Sequence, residues 1–372
     1  MSRSVPLARL LRHPVANSES LESSALIVGA LAFIVSGVVA LFVFWGQYLP
    51  ISGPGSVGQF VAVFSGFVSL VVFVGARVLV GRNTTRTGAR NGLDVPGARL
   101  HWFDVAALAL AHGVIALLGW TALSDVLSES FSDAVVYALS AAVLAGVGVA
   151  ITAYAVFLSA VKLTPMLLSV VLAVFVVVGV FASMLSSADP HWWKKNLSTL
   201  GISDDVSALA FNVTLIIAGV LVTTIAHYAT ATIPVSNAKE ARGRGLVRLA
   251  LVLMGILLAC VGIFPVDRFL ELHNLSASGM AVIYVVMVLS LRRLIPSMPR
   301  VFVLLGYVYV AVIVVLAAFF VSGYYNLTAV ELVAFLLIFS WVIVFLRNTG
   351  AMRGADEGPT SDEGQVKHEV AA

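Results

Sequence analysis

The sequence predicts an all-α fold: a polytopic transmembrane helix bundle of about ten spans with both termini cytoplasmic. Three observations carry this. Of 372 residues, 60% are hydrophobic and 11% charged, against about 25% charged in soluble domains; mean hydropathy is +1.02. Apolar runs of about 20 residues, the length that crosses a hydrocarbon core of about 30 Å, recur from Ala25 to Leu346. Basic residues also fall on alternate connections. Lipid leaves no partner for backbone N–H and C=O groups, so each run must be a helix or a barrel strand, and runs this long and unbroken exclude the barrel.

The elements follow in order. Residues 1–24 form a basic, polar arm with Arg3, Arg9 and Arg12. No small-residue cleavage site follows the next apolar run, so it reads as a retained first helix. The first span covers Ala25–Leu49 and stops at Pro50 and the Ser52-Gly-Pro-Gly55 turn; the second covers Val57–Val80. A polar loop, Gly81–His101, leads to the third span, Trp102–Leu123. Leu123, Val126, Leu127 and Phe131 then recur at helical spacing, which predicts a short interfacial helix. The fourth span is Ala134–Val161, and the Lys162-Leu-Thr-Pro165 turn opens the fifth, Met166–Ser186. The sixth ends near Tyr228, and a basic loop carries Lys239, Arg242, Arg244 and Arg248. Leu246–Phe264, Leu275–Leu291, Val301–Val321 and Ala329–Leu346 complete the ten. The sequence thus divides into a four-helix part, 25–162, and a six-helix part, 163–348. The Gly-, Glu- and Asp-rich tail, 349–372, has no apolar period and reads as disordered and cytoplasmic.

With the N-terminus inside, only Lys194, Lys195 and Arg268 of the 22 lysines and arginines lie outside, as the positive-inside rule predicts. Arg-, Ala- and Val-rich, Lys-poor usage points to a bacterial chain and hence to a bacterial inner membrane. On that view the sequon-like triplets at Asn196, Asn274 and Asn326 are chance. The one cysteine, Cys260, excludes an intrachain disulfide and a thiolate zinc site.

Chemistry concentrates in Asp189-Pro-His-Trp-Trp-Lys-Lys-Asn-Leu-Ser-Thr-Leu-Gly-Ile-Ser-Asp-Asp205. Trp192, Trp193, Lys194, Asn196, Ser198, Leu200 and Gly201, followed by Ser207-Ala-Leu-Ala-Phe-Asn212, resemble the entry loop of a bacterial membrane family of unknown function, DUF family nine-nine-eight. That family is distantly similar to the six-helix Frag/DRAM/Sfk membrane proteins. The Phe264-Pro-x-Asp…His273-Asn274 pattern is similar to the same relatives. The resemblance covers the six-helix part, and through the lipid-linked Sfk-type proteins it implies a role in binding or organising lipid.

Each candidate has a plain and a sharper meaning. Trp192, Trp193, Lys194 and Lys195 suit interfacial anchoring, yet two of the three outer cations beside aromatic faces also suit an anionic or glycosylated headgroup. Ser203, Asp204 and Asp205 suit an N-cap of the sixth helix. Asn212 lies two turns further, about 10 Å into the span at 1.5 Å per residue, as interhelical glue or a cavity floor. Asp189, His191, Asp267, Glu271 and His273, with Tyr284 on the face of His273, supply material for a metal site or an acid–base pair. No pair has the close helical spacing of a two-histidine motif, so neither metal nor cofactor is expected. Thr328-Ala-Val-Glu331 reads as a capping box, with Tyr324, Tyr325 and Asn326 before it. His112, within the third span, is a buried candidate for which hydrogen-bonded packing is favoured over a proton relay.

There is no Walker loop, no Gly-x-Ser-x-Gly elbow, no His/Glu metal motif, and no pair of Gly/Pro-broken helices. The expectation is therefore a lipid-binding membrane protein, leaning away from an enzyme, with an outward-facing polar pocket. It is built from Asp189, His191, Trp192, Trp193, Lys194, Lys195, Asn196, Ser198, Asn212, Asp267, Arg268, His273, Tyr284, Tyr325 and Glu331. The expected partners are membrane lipids, not nucleic acid; a lipid-modifying enzyme or a transporter is the alternative.

Overall fold

The structure is a computed structural model that describes residues 18–91, 101–202, 205–231 and 233–356. Among these are ten helices long and apolar enough to cross a membrane. They are α1 (Ser18–Val43), α2 (Val57–Asn91), α3 (Trp102–Ser130), α4 (Ala138–Val161), α5 (Pro165–Leu185), α6 (Val206–Ala231), α7 (Ala238–Ile263), α8 (Leu270–Leu294), α9 (Arg300–Val321) and α10 (Leu327–Asp356). The chain is a multi-pass helical membrane protein.

Several helices outrun their apolar stretch. α2 continues to Asn91, into the expected Gly81–His101 loop, and α10 continues past Leu346 to Asp356. α7 begins at Ala238, so Lys239, Arg242 and Arg244 are its first turns rather than a loop. The separate interfacial helix after Leu123 is absent as such, because α3 runs unbroken to Ser130. The physical reason is common to all. Hydropathy ends where lipid ends, whereas i→i−4 hydrogen bonding can continue into water, helped in α7 by the good helix formers Ala238, Lys239, Glu240, Ala241 and Arg242. Asn237 caps α7, its Oδ1 accepting from the Glu240 amide at 2.9 Å while Glu240 accepts from the Ser236 amide at 2.7 Å. Residues 1–17, most of the expected tail (357–372), Ser203 and Asp204 lie outside the described residues.

The chain forms two compact units. The first comprises residues up to Leu163 with Val174–Pro190 and Leu200–Leu221; the second comprises Thr164–Ala173, His191–Thr199 and residues from Val222 onward.

In the first unit α4 packs on α1 and α2, and α2 also packs on α3. Ala141, Ala145, Val149 and Ala153 recur every four residues along α4 and are fully buried. Such a stripe of small residues lets helix backbones approach closely, which drives association in lipid, where apolar burial gains little. Two short strands, β1 (Tyr48–Leu49) and β2 (Val136–Tyr137), pair antiparallel, with Tyr48 opposite Tyr137 and Leu49 opposite Val136. The two tyrosine rings meet edge to face at 5.3 Å. His112 is buried, with Nδ1 2.7 Å from the Leu108 carbonyl, Nε2 2.8 Å from Ser159 Oγ, and its ring 4.7 Å from Phe73. Ser183 and Ser207 are also buried, and each hydroxyl donates to the other's carbonyl, at 3.0 and 2.8 Å.

In the second unit α8 packs against α7 and α9, and α9 against α10. Its centre is aromatic: Trp341 stacks on Phe302 and Phe345 at 5.0 and 5.5 Å and meets Tyr284 edge to face at 5.5 Å. Trp341 and Tyr284 are both fully buried. At Gly243 an added Cβ would overlap the Leu294 carbonyl, so the first turns of α7 lie directly against the end of α8.

Candidate functional site: a tethered loop

The segment His191–Thr199 follows Pro190 and carries Asn196, Ser198 and Thr199, whose side chains favour turns by bonding to nearby groups. It winds into a 3₁₀ turn at Trp192–Lys194, closed by Lys194 N–H donating to His191 O at 3.0 Å and Lys195 N–H to Trp192 O at 3.2 Å. A second turn begins at Leu197, where Thr199 donates to the Asn196 carbonyl through N–H and to Oδ1 through its hydroxyl.

Three tethers fix this segment to the rest of the second unit. Asn326 Nδ2 donates to the Trp193 carbonyl at 3.0 Å, the Leu197 N–H donates to Glu331 Oε2 at 2.6 Å, and Ser198 Oγ lies 2.9 Å from His273 Nε2. The last tether has a defined tautomer. His273 Nδ1 is 2.8 Å from the Phe264 carbonyl, which can only accept, so Nδ1 carries the proton. In neutral His273, Nε2 is then the acceptor and the Ser198 hydroxyl is the donor. His273 is 4% exposed while Ser198 is half-buried.

Most of the charged and aromatic candidates are exposed. Trp193 is 48% exposed and Lys194 Nζ sits 5.6 Å from its ring centroid, within cation–π range. His191 and Lys195 are exposed and Trp192 is half-buried. Arg268 and Asp267 form a surface ion pair at 3.7 Å. Tyr325 is exposed, packed edge to face with Tyr324 at 4.9 Å and with Phe319 at 5.8 Å. Among the described residues no group of three or more His, Cys, Asp or Glu could hold a metal ion.

Other expected residues are placed differently. Tyr284 is in the aromatic core rather than beside His273, since eleven residues along a helix is about 16 Å at 1.5 Å per residue. Asn212 belongs to the first unit and is used locally, Nδ2 donating to the Gly201 carbonyl at 3.0 Å. Asp189 is half-buried in that unit, its carbonyl accepting from Ser187 Oγ at 3.3 Å. Asp205 caps α6, accepting from the Ala208 amide at 2.9 Å. The capping box at Thr328 does not form. Asn326 Oδ1 caps α10 through the Ala329 amide at 3.0 Å, Thr328 is buried, and the Glu331 carboxylate is spent on Leu197. Asn competes well for the N-cap, and one placed two residues earlier starts the helix earlier. The Phe264 carbonyl and the Leu197 amide are backbone groups with no side-chain signal in sequence.

Glu331→Leu is expected to destabilise the protein by about 1–3 kcal/mol, because it strips the Leu197 N–H of its acceptor. Glu331→Gln keeps an acceptor oxygen and should lose less than half of that. Equal losses for both in a denaturation series in bicelles would show that the charge matters, not the tether.

Residues 169–348 match the family described as protein of unknown function (DUF998). The match covers α5 from Ser169, the tethered loop, α6–α9 and the membrane-crossing part of α10. No curated protein and no solved structure matches the chain. Ser198, His273, Asn326 and Glu331 therefore all lie inside the DUF998 segment.

Proposed function

We propose that the DUF998 segment binds an anionic or glycosylated lipid headgroup at the outer leaflet of a bacterial inner membrane. Lys194, Lys195 and Arg268 supply charge, and Trp192 and Trp193 supply stacking faces. The observation that carries this is Lys194 poised over the exposed Trp193 ring, on a segment pinned at Trp193, Leu197 and Ser198. Tethers of this kind order the loop before a ligand arrives, so less conformational freedom is lost on binding. The Asp267–Arg268 pair leaves Arg268 at the surface, where a phosphate can compete for its guanidinium.

Each lysine near a charged membrane surface contributes on the order of 1 kcal/mol, so a pair changes affinity by roughly 30-fold. Lys194→Gln with Lys195→Gln should therefore lose co-purifying anionic lipid, read by native mass spectrometry in lipid nanodiscs, while fold and expression persist. Trp193→Leu should keep the apolar anchor but weaken retention, since it removes the stacking face. Unchanged lipid with unchanged salt dependence in all three substitutions would reduce the loop to an anchor. The orientation is tested alongside: a cysteine at position 194 on a Cys260→Ala background should be labelled from outside intact cells.

A further inference from the structure

We propose that Ser198 and His273 form a nucleophile–base pair that cleaves acyl esters of membrane lipids. Three features of this pair carry the proposal. The base is oriented correctly: Nδ1–H is held by the Phe264 carbonyl, leaving the Nε2 lone pair directed at Ser198 Oγ, 2.9 Å away. A nucleophile within reach of a base that is itself oriented by a third group is the arrangement that activates serine. The burial is also graded, with the base 4% exposed and the nucleophile half-buried, so the imidazole is shielded from bulk water while the hydroxyl can be approached. Finally, Leu270, Leu272 and Leu275 flank His273 on α8 and are 55%, 45% and 68% exposed. They stand in the first turns of a helix long and apolar enough to cross a membrane, the level at which a lipid ester would lie.

The step balances without a co-reactant other than water. Ser198 Oγ bonds to the ester carbonyl carbon as its proton passes to His273 Nε2. The carbon–oxygen bond to the lipid alcohol then breaks, and the departing oxygen takes that proton. Water repeats the sequence on the acyl-serine, using Nε2 again as base, and releases a fatty acid and free Ser198. The inference rests on the headgroup reading only for where the substrate lies; the chemistry needs neither Lys194 nor Lys195. His112 and Ser159 share the same wiring within the first unit, with the histidine ring tilted against Phe73, and provide an internal comparison.

The test uses the full chain in lipid nanodiscs with a fluorophosphonate probe, read by intact mass and peptide mapping. The expected result is one adduct on Ser198, none in Ser198→Ala, labelling slowed by about 100-fold or more in His273→Gln, and labelling unchanged in Ser159→Ala. Because His273→Gln also breaks the Phe264 tether, Ser198→Ala is the decisive variant: it leaves the His273–Phe264 bond in place and should stay folded and monodisperse, with a melting temperature lowered only by loss of the Ser198–His273 bond. Phosphatidylglycerol vesicles should release fatty acid with the native chain and not with Ser198→Ala. An unlabelled native chain, an adduct that persists in Ser198→Ala, or no fatty acid release would overturn the proposal. Lipid retained on an unlabelled protein sinks the nucleophile and leaves headgroup binding standing. A labelled protein whose lipid content ignores the two Lys→Gln changes does the reverse.

Discussion

Trp341→Ala should be among the most damaging single substitutions in the DUF998 segment, lowering stability by about 3 kcal/mol or more. Trp341 has no exposed surface and touches three rings: Phe302 at 5.0 Å and an interplanar angle of 28°, Phe345 at 5.5 Å and 14°, and Tyr284 at 5.5 Å and 84°. In lipid the loss is not one of apolar transfer, because acyl chains solvate a bare side chain well. What disappears is dispersion among close-packed rings, and what remains is a cavity too deep for lipid to fill. Trp341→Phe keeps a ring between Phe302 and Phe345 and removes an Nε1 that has no hydrogen-bond partner in the structure. Its loss should be less than half that of alanine, measured by equilibrium unfolding in mixed micelles. Equal losses would show that the indole N–H, not the stacked ring, secures this core.

Gly243→Ala and Gly245→Ala should move stability in opposite directions. In a helix alanine is favoured over glycine by about 1 kcal/mol, from backbone entropy alone. At Gly245 nothing lies within 4 Å of an added Cβ, so this gain should appear. At Gly243 the Cβ would overlap the Leu294 carbonyl, and backbone cannot rotate aside as a side chain can. α7 must then lift from the end of α8, at a loss of about 1–3 kcal/mol, which outweighs the propensity term. Thermal melts of the two variants, two residues apart on one helix, separate packing from propensity. Stabilisation at both positions would mean that α7 does not press on Leu294 in the membrane.

The ten crossings were legible because the need to satisfy every backbone group in lipid leaves long apolar runs no alternative to helix. Their ends were not. The first turns of α7 and the last of α2 are basic and polar, and hydropathy says nothing about a helix that continues into water. Residue types marked the loop between α5 and α6 as chemical, and Ser198, His273 and Glu331 were each visible as candidates. Their partners were hidden because the pairing is long-range: Ser198 and His273 are 75 residues apart and Leu197 and Glu331 are 134 apart. The Thr328–Glu331 pattern misled because it is local, and Asn326 offered a stronger cap just upstream. Trp341 carried a signal that went unused, a tryptophan well inside a span instead of at its boundary, where the indole usually sits.

The β1–β2 ribbon has a consequence in time. Tyr48 and Leu49 follow α1 directly, but their partners Val136 and Tyr137 lie just before α4. At about 5–20 residues per second, roughly 90 residues of synthesis delay the ribbon by about 4–18 s after the first strand emerges. Through that interval the link between α1 and α2 has no partner strand, and α1 lacks the face of α4 on which it packs. The first hairpin must therefore wait in the membrane, held by its own helices, until the fourth crossing arrives to close the ribbon and seat α1 in one event.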